Sequence, residues 1–130
     1  MSSPRIVIVE DEEWVRALWV EALEEAGYAV EGFAAGADVL ARLEELAPDL
    51  ILLDMMMPGM DGFEFLARLR ANPASVRIPL LIISALGEVL EMAIDERGAR
   101  ALGVAGILAK PLAVPTLLEH VQRVIGPPTV

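Results

Sequence analysis

Five short apolar runs, separated by longer stretches with helical spacing, constrain this 130-residue chain more than any other feature. The runs are Ile6-Val7-Ile8-Val9, Tyr28 to Phe33, Leu50-Ile51-Leu52-Leu53, Leu80-Leu81-Ile82-Ile83 and Gly106-Ile107-Leu108-Ala109. The first, third and fourth contain no polar residue. A strand that never alternates is buried on both faces, as in a parallel sheet covered by helices on each side. The second run is interrupted by Glu31, which suits an edge strand.

The intervening segments read as helices. Val15, Leu18, Trp19, Ala22, Leu23 and Ala26 recur at helical spacing until Gly27 stops them. Val39, Leu40, Leu43 and Leu46 repeat the pattern as one helix that ends before Pro48. Phe63, Leu66 and Leu69 form a third stripe, broken by Asn72-Pro73. A fourth helix is predicted from about Glu88 to Leu102, with Gly98 weakening its middle. The last opens near Val114-Pro115 and ends at Gly126. Five βα units in series predict an α/β fold of the doubly wound, flavodoxin-like kind, (βα)5, with a five-stranded parallel sheet of order 2-1-3-4-5 and helices on both faces. The expected layout is one domain over residues 1–126 and a short tail, 127–130.

Hydrophobic residues make up 55% of the chain, yet the longest apolar run is too short to cross a bilayer. The start lacks the layout of a signal peptide, so a cytoplasmic protein is the default expectation. Zero cysteines exclude disulfides and thiolate metal sites. A net charge of -10 argues against direct nucleic-acid binding and favours a basic or metal-bearing partner. Nine of the ten cationic residues are arginine, and Lys110 is the one lysine. A GC-rich genome or a heat-adapted host accounts for the skew, but the single retained lysine invites a chemical reason.

In open α/β sheets, ligands bind at the carboxyl ends of the strands. The conspicuous polar residues fall there: Glu10 and Asp11 after the first strand, Asp54 after the third, Ser84 after the fourth, and Lys110 with Pro111 after the fifth. In the order 2-1-3-4-5 these four ends lie side by side. Clustered carboxylates repel one another unless a cation joins them. Mg²⁺, or Mn²⁺ in its place, suits such oxygen ligands. A metal held by Glu10, Asp11 and Asp54 would carry a phosphoryl oxygen, with Lys110 and Ser84 serving the others and Asp54 as nucleophile. Singly, each residue has a plainer role: Glu12 and Glu13 as acids at a helix start, Asp54 as a turn cap.

These pieces, in order, resemble the receiver domains of bacterial response regulators. The resemblance covers about residues 5 to 125 and rests on Val7-Ile8-Val9-Glu10-Asp11-Glu12, on Asp54-Met55-Met56-Met57-Pro58-Gly59-Met60-Asp61-Gly62, on Ser84-Ala85 and on Lys110-Pro111. It implies that Asp54 accepts a phosphoryl group, that Asp11 and Glu10 serve a Mg²⁺ ion, and that the Met56 carbonyl completes its protein ligands. Ser84 would be the switch hydroxyl, Lys110 the phosphoryl-pairing cation, and the Lys110–Pro111 bond cis. The implied partners are a sensor histidine kinase or phosphotransfer protein and a downstream protein target, with no membrane. A homodimer through the last two helices and the strand between them is compatible with the resemblance. The sequence contains no output domain, so it reads as a stand-alone receiver or one cut from a larger protein.

Three departures concern signal transmission. Ile107 stands where the family carries an aromatic switch, Leu112 where Phe is common, and the stretch from Ser84 to Lys110 is longer than usual. Met56 and Leu86, both apolar, are expected to flank the phosphoryl group and slow its hydrolysis. Trp14 lies off the helical stripe, either exposed beside the site as a partner anchor or packed on a loop. The missing aromatic keeps a second reading open, a phosphorylation-independent pseudo-receiver that acts as a binding module. A flavodoxin-like cofactor binder is disfavoured, because Glu10 to Glu13 would repel phosphate. An aspartate-nucleophile phosphatase would need a second acid where Met56 stands.

Overall fold

The computed structural model describes residues 3–55, 62–85 and 95–128. Strands β1 (Arg5–Val9), β2 (Ala29–Phe33), β3 (Leu50–Asp54), β4 (Leu80–Ser84) and β5 (Val104–Ala109) form one parallel sheet of order β2-β1-β3-β4-β5. The helices among the described residues are α1 (Glu13–Ala26), α2 (Gly36–Ala41), α3 (Leu43–Leu46), α4 (Gly62–Ala71), α5 (Glu96–Leu102) and α6 (Val114–Ile125). The flavodoxin-like expectation therefore holds, and β2 is an edge strand as its alternation indicated.

The unbroken apolar strands serve two cores at once, because successive side chains point to opposite faces. Ile6, Ile8, Leu50, Leu52, Leu81 and Ile83 pack with Trp19 and Leu23 of α1 and with Leu117 and Val121 of α6. Val7, Val9, Ile51, Leu53, Leu80 and Ile82 face the other way, onto Val39, Leu43, Phe65 and Leu69 of α2, α3 and α4. Burial of roughly 2 kcal/mol worth of apolar surface per such side chain drives both layers onto the sheet.

Local chemistry sets the element ends. Gly27 closes α1 in the left-handed region at φ 110°. Pro115 sits in the first turn of α6, where its missing N–H costs nothing. The segment before Pro48 is not one helix but two, divided at Arg42 (φ -119°, ψ 19°). The Arg42 guanidinium reaches Glu31 Oε2 at 2.7 Å and Glu45 Oε2 at 3.1 Å, and it lies over the Phe33 ring. In α4 the inward aromatic is Phe65, while Phe63, read as part of the core stripe, is 55% exposed. Leu18 is likewise exposed, although the stripe of α1 included it. Both lie one position off the buried arc once the helix start is fixed. The helix expected from Glu88 falls partly outside the described residues; α5 begins at Glu96, and Asp95 Oδ1 caps it by accepting from Gly98 N at 2.7 Å, which places Gly98 in the first turn.

Two glycines are required by close approach. A Cβ on Gly62 would lie 2.6 Å from the Met55 Cα. At Gly103 (φ 71°) it would lie 2.6 Å from Arg70 Nη2. Arg70 uses that space. It donates to Leu102 O at 2.6 Å, Ser75 O at 2.9 Å, Val76 O at 3.3 Å and Gly103 O at 3.3 Å. The α5–β5 turn is thereby tied to α4.

Candidate functional site

The register of the sheet assembles the site. Val9 pairs with Leu53, so Glu10 and Asp54 emerge together at the ends of β1 and β3. Asp54 pairs with Ile83, and Ser84 pairs with Ala109, which brings Ser84 and Lys110 alongside. The Lys110 backbone N–H donates to Ser84 O at 2.9 Å, extending the β4–β5 ladder into the site.

The polar groups are sunk into the sheet rim. Glu10 and Ser84 are fully buried and Asp54 is 3% exposed, whereas Asp11 is half-buried. Lys110 Nζ donates to Glu10 Oε1 at 2.8 Å and to Asp54 Oδ2 at 3.2 Å. Burial, reinforced by a hydrogen bond to Asp54 and its charge, pushes the Glu10 carboxyl up to about 8 against the pull of Lys110. Burial draws the Lys110 ammonium down, but the hydrogen bond to Glu10 and the charges of Asp54 and Glu10 outweigh it and leave it above its ordinary value. The Lys110–Pro111 bond is cis, as expected.

Glu10, Asp11 and Asp54 each offer an oxygen, and these atoms lie within 4.8 Å of one another. Glu10 Oε2 is buried with no hydrogen-bond partner among the described residues. An orphaned carboxyl oxygen on a member of an all-oxygen donor set fits a hard divalent cation. Met56, whose carbonyl the resemblance adds to this set, lies outside the described residues, as do Leu86 and Pro58-Gly59.

One supporting residue escaped the sequence reading. Arg16 in α1 donates through Nη1 to Glu10 O at 2.8 Å and, at 3.5 Å, to Asp11 O. It anchors the backbone of the acidic loop to the helix that follows. Its place at the end of the first turn of α1, six residues after Glu10, was the available signal. Of the departures, Ile107 is half-buried and packs against the Val9–Leu53–Ile82 side of the core. Leu112 packs on the opposite cluster. Trp14 is 71% exposed, which decides between its two readings in favour of a surface position. No helix among the described residues is long and apolar enough to cross a membrane.

Comparison with known proteins gives the same outline. The chain is 37% identical over 122 residues to the phosphate regulon transcriptional regulatory protein PhoB of Rhizobium meliloti, covering 94% of this chain and 52% of that protein. It is 35% identical to sporulation initiation phosphotransferase F of Bacillus subtilis, covering 95% of this chain and 94% of that one. The chain thus spans about half the length of the first of these relatives and nearly all of the second. Among solved structures, the chemotaxis protein CheY4 of Vibrio cholerae superposes with a TM-score of 0.82 at 32% identity, covering 95% of this chain and 99% of that one. The receiver domain of a Pseudomonas aeruginosa sensor histidine kinase, with magnesium coordinated in its active-site cleft, gives 0.78 at 27% identity, covering 96% and 99%. The model of the response regulator receiver domain matches residues 6–122, and with the sheet order, the acidic triad and the lysine at the end of β5 in place, the chain belongs to that family.

Proposed function

We propose that this chain accepts a phosphoryl group on Asp54 in a Mg²⁺-dependent reaction and signals by the conformational change that follows. The observation that carries this reading is the convergence of Glu10, Asp11, Asp54 and Lys110 at one sheet edge, with Lys110 Nζ 3.2 Å from Asp54 Oδ2. Asp54 Oδ supplies the electron pair that forms the new P–O bond as the bond from phosphorus to the donor breaks. Glu10, Asp11, Asp54 and the Met56 carbonyl would hold the Mg²⁺ ion, or Mn²⁺ in its place. When bound, that ion neutralises negative charge on the transferring phosphoryl oxygens. Lys110 balances the carboxylates before transfer and turns a donor toward a phosphoryl oxygen after it. Ser84 supplies a hydroxyl at the end of the neighbouring strand.

The donor would be a sensor histidine kinase or a phosphotransfer protein, and the output a downstream protein target. We read residues 1–126 as the receiver unit and 127–130 as a short tail. The role is that of a signalling phosphoacceptor that assists its own phosphorylation and dephosphorylation, without metabolic activity. Incubation with Mg²⁺ and acetyl phosphate tests the reading by intact-mass spectrometry. The expected result is one phosphate added to the wild type and none to Asp54→Ala or to wild type in EDTA. A wild type that stays unmodified would instead favour the pseudo-receiver reading.

A further inference from the structure

Lys110 lies against an aromatic face. Its Nζ is 5.7 Å from the centroid of the Trp19 ring. Trp19 is 3% exposed within α1, while the Lys110 side chain retains 20% exposure. The two meet at the inner wall of an apolar groove of about 520 Å³ that Trp14, Leu18, Pro111 and Leu112 also line.

We propose that Trp19 is a positioning residue for Lys110, holding the ammonium beside Asp54 through its ring face while leaving the N–H donors able to re-aim. The inference rests on the reading of Asp54 as the phosphoryl acceptor. Lysine places a point charge on a flexible four-carbon stem, and ordering that stem costs entropy. Two of its three donors are committed to Glu10 Oε1 and Asp54 Oδ2. A third carboxylate would hold the ammonium but would also fix its direction and add to the negative charge. An aromatic face attracts a cation through its quadrupole, whichever N–H is presented, and carries no net charge. Such a partner suits a lysine that must leave a carboxylate oxygen for a phosphoryl oxygen without leaving the site. Packing in the α1 stripe accounts for a large apolar side chain at position 19, as at Val15 and Leu23. It does not account for a ring directed at the ammonium of the chain's one lysine.

The single lysine makes the test direct. Protein grown with ¹³C,¹⁵N-lysine gives one set of lysine signals, all from Lys110. In the wild type, the ring current of Trp19 is expected to displace the Lys110 ε-methylene protons upfield of the free amino acid. Trp19→Phe should retain part of that displacement and Trp19→Leu should abolish it. Phosphorylation by acetyl phosphate at saturating Mg²⁺, followed by intact mass, should slow about threefold to thirtyfold in Trp19→Leu, the span set by a partly desolvated cation–π contact. Trp19→Phe should remain within about threefold of wild type. A wild-type ε signal at the free-lysine position would overturn the inference without any variant needing to fold. So would a folded Trp19→Leu protein phosphorylated at the wild-type rate. A wild type that takes no phosphate while its ε signal is displaced upfield would overturn the acceptor reading and Trp19's role in it, leaving only the contact.

Discussion

Replacing Asp54 by Asn should stabilise the metal-free protein at alkaline pH. In that state Glu10, Asp11 and Asp54 crowd together, with Lys110 bonded to two of them. The Glu10 carboxyl stands at about 8 when folded against 4.5 as its reference, so the folded chain holds a proton that the unfolded chain has already lost. A carboxyl raised on folding favours the native state below its unfolded value, and that contribution is lost as pH rises through the folded one. The cost of ionising Glu10 is therefore absent near pH 4.5 and fully present above pH 8. It amounts to an order of magnitude of 5 kcal/mol. Burial is the larger part, and the hydrogen bond and charge of Asp54 supply the next contributions. Removing that charge while keeping the shape should return about 1–2 kcal/mol above pH 8, and little near pH 4.5. Urea unfolding followed by circular dichroism, in EDTA at both pH values, measures the difference. With millimolar Mg²⁺ the order should reverse, because the wild type gains binding free energy that the variant has largely lost. An Asn variant less stable than wild type at high pH without metal, or a difference independent of pH, would refute the charge-crowding argument.

Other perturbations follow from the same geometry. Arg16→Met removes the donor to the Glu10 and Asp11 carbonyls and should weaken Mg²⁺ binding about tenfold by calorimetric titration, with little change in the melting curve. Arg70→Met strips donors from four backbone carbonyls and should cost about 2–3 kcal/mol in urea unfolding. Gly62→Ala places a methyl against the Met55 backbone and should destabilise by about 1–3 kcal/mol, with slower phosphorylation of the adjacent acceptor.

Strand order and the placement of Glu10, Asp11, Asp54, Ser84 and Lys110 were legible in the sequence because the strands are buried on both faces. Such strands leave an uninterrupted apolar signature, and each ends where the first polar residue meets solvent or a site. Helix faces were less legible. Phe63 and Phe65 are equally apolar, and only the start of α4 at Gly62, set by its approach to Met55, decides which turns inward. At the break, Arg42 pairs with the carboxylates of Glu31 in β2 and Glu45 in α3. Periodicity within one segment carries no information about such a partner. The contact between Trp19 and Lys110 joins residues 91 positions apart, and the stripe of α1 absorbed Trp19 as core.

The Arg70 clamp gives β5 the mechanics of a cantilever. Its base, at the Gly103 turn, is bolted to α4 through backbone carbonyls, while its tip carries Lys110 into the site. A beam held that way deflects at the tip and scarcely at the root. Displacement of Lys110 therefore reaches the rest of the molecule through what touches the outer half of the strand: Ile107 and Leu108 against the two cores, the ladder to β4 up to the Lys110–Ser84 backbone bond, and Trp19 against Lys110 itself. With Ile107 where an aromatic rotor would stand, that outer half, laddered to β4 as far as Ala109, is the natural lever arm, and amide exchange along β5 should quicken from Val104 toward Ala109.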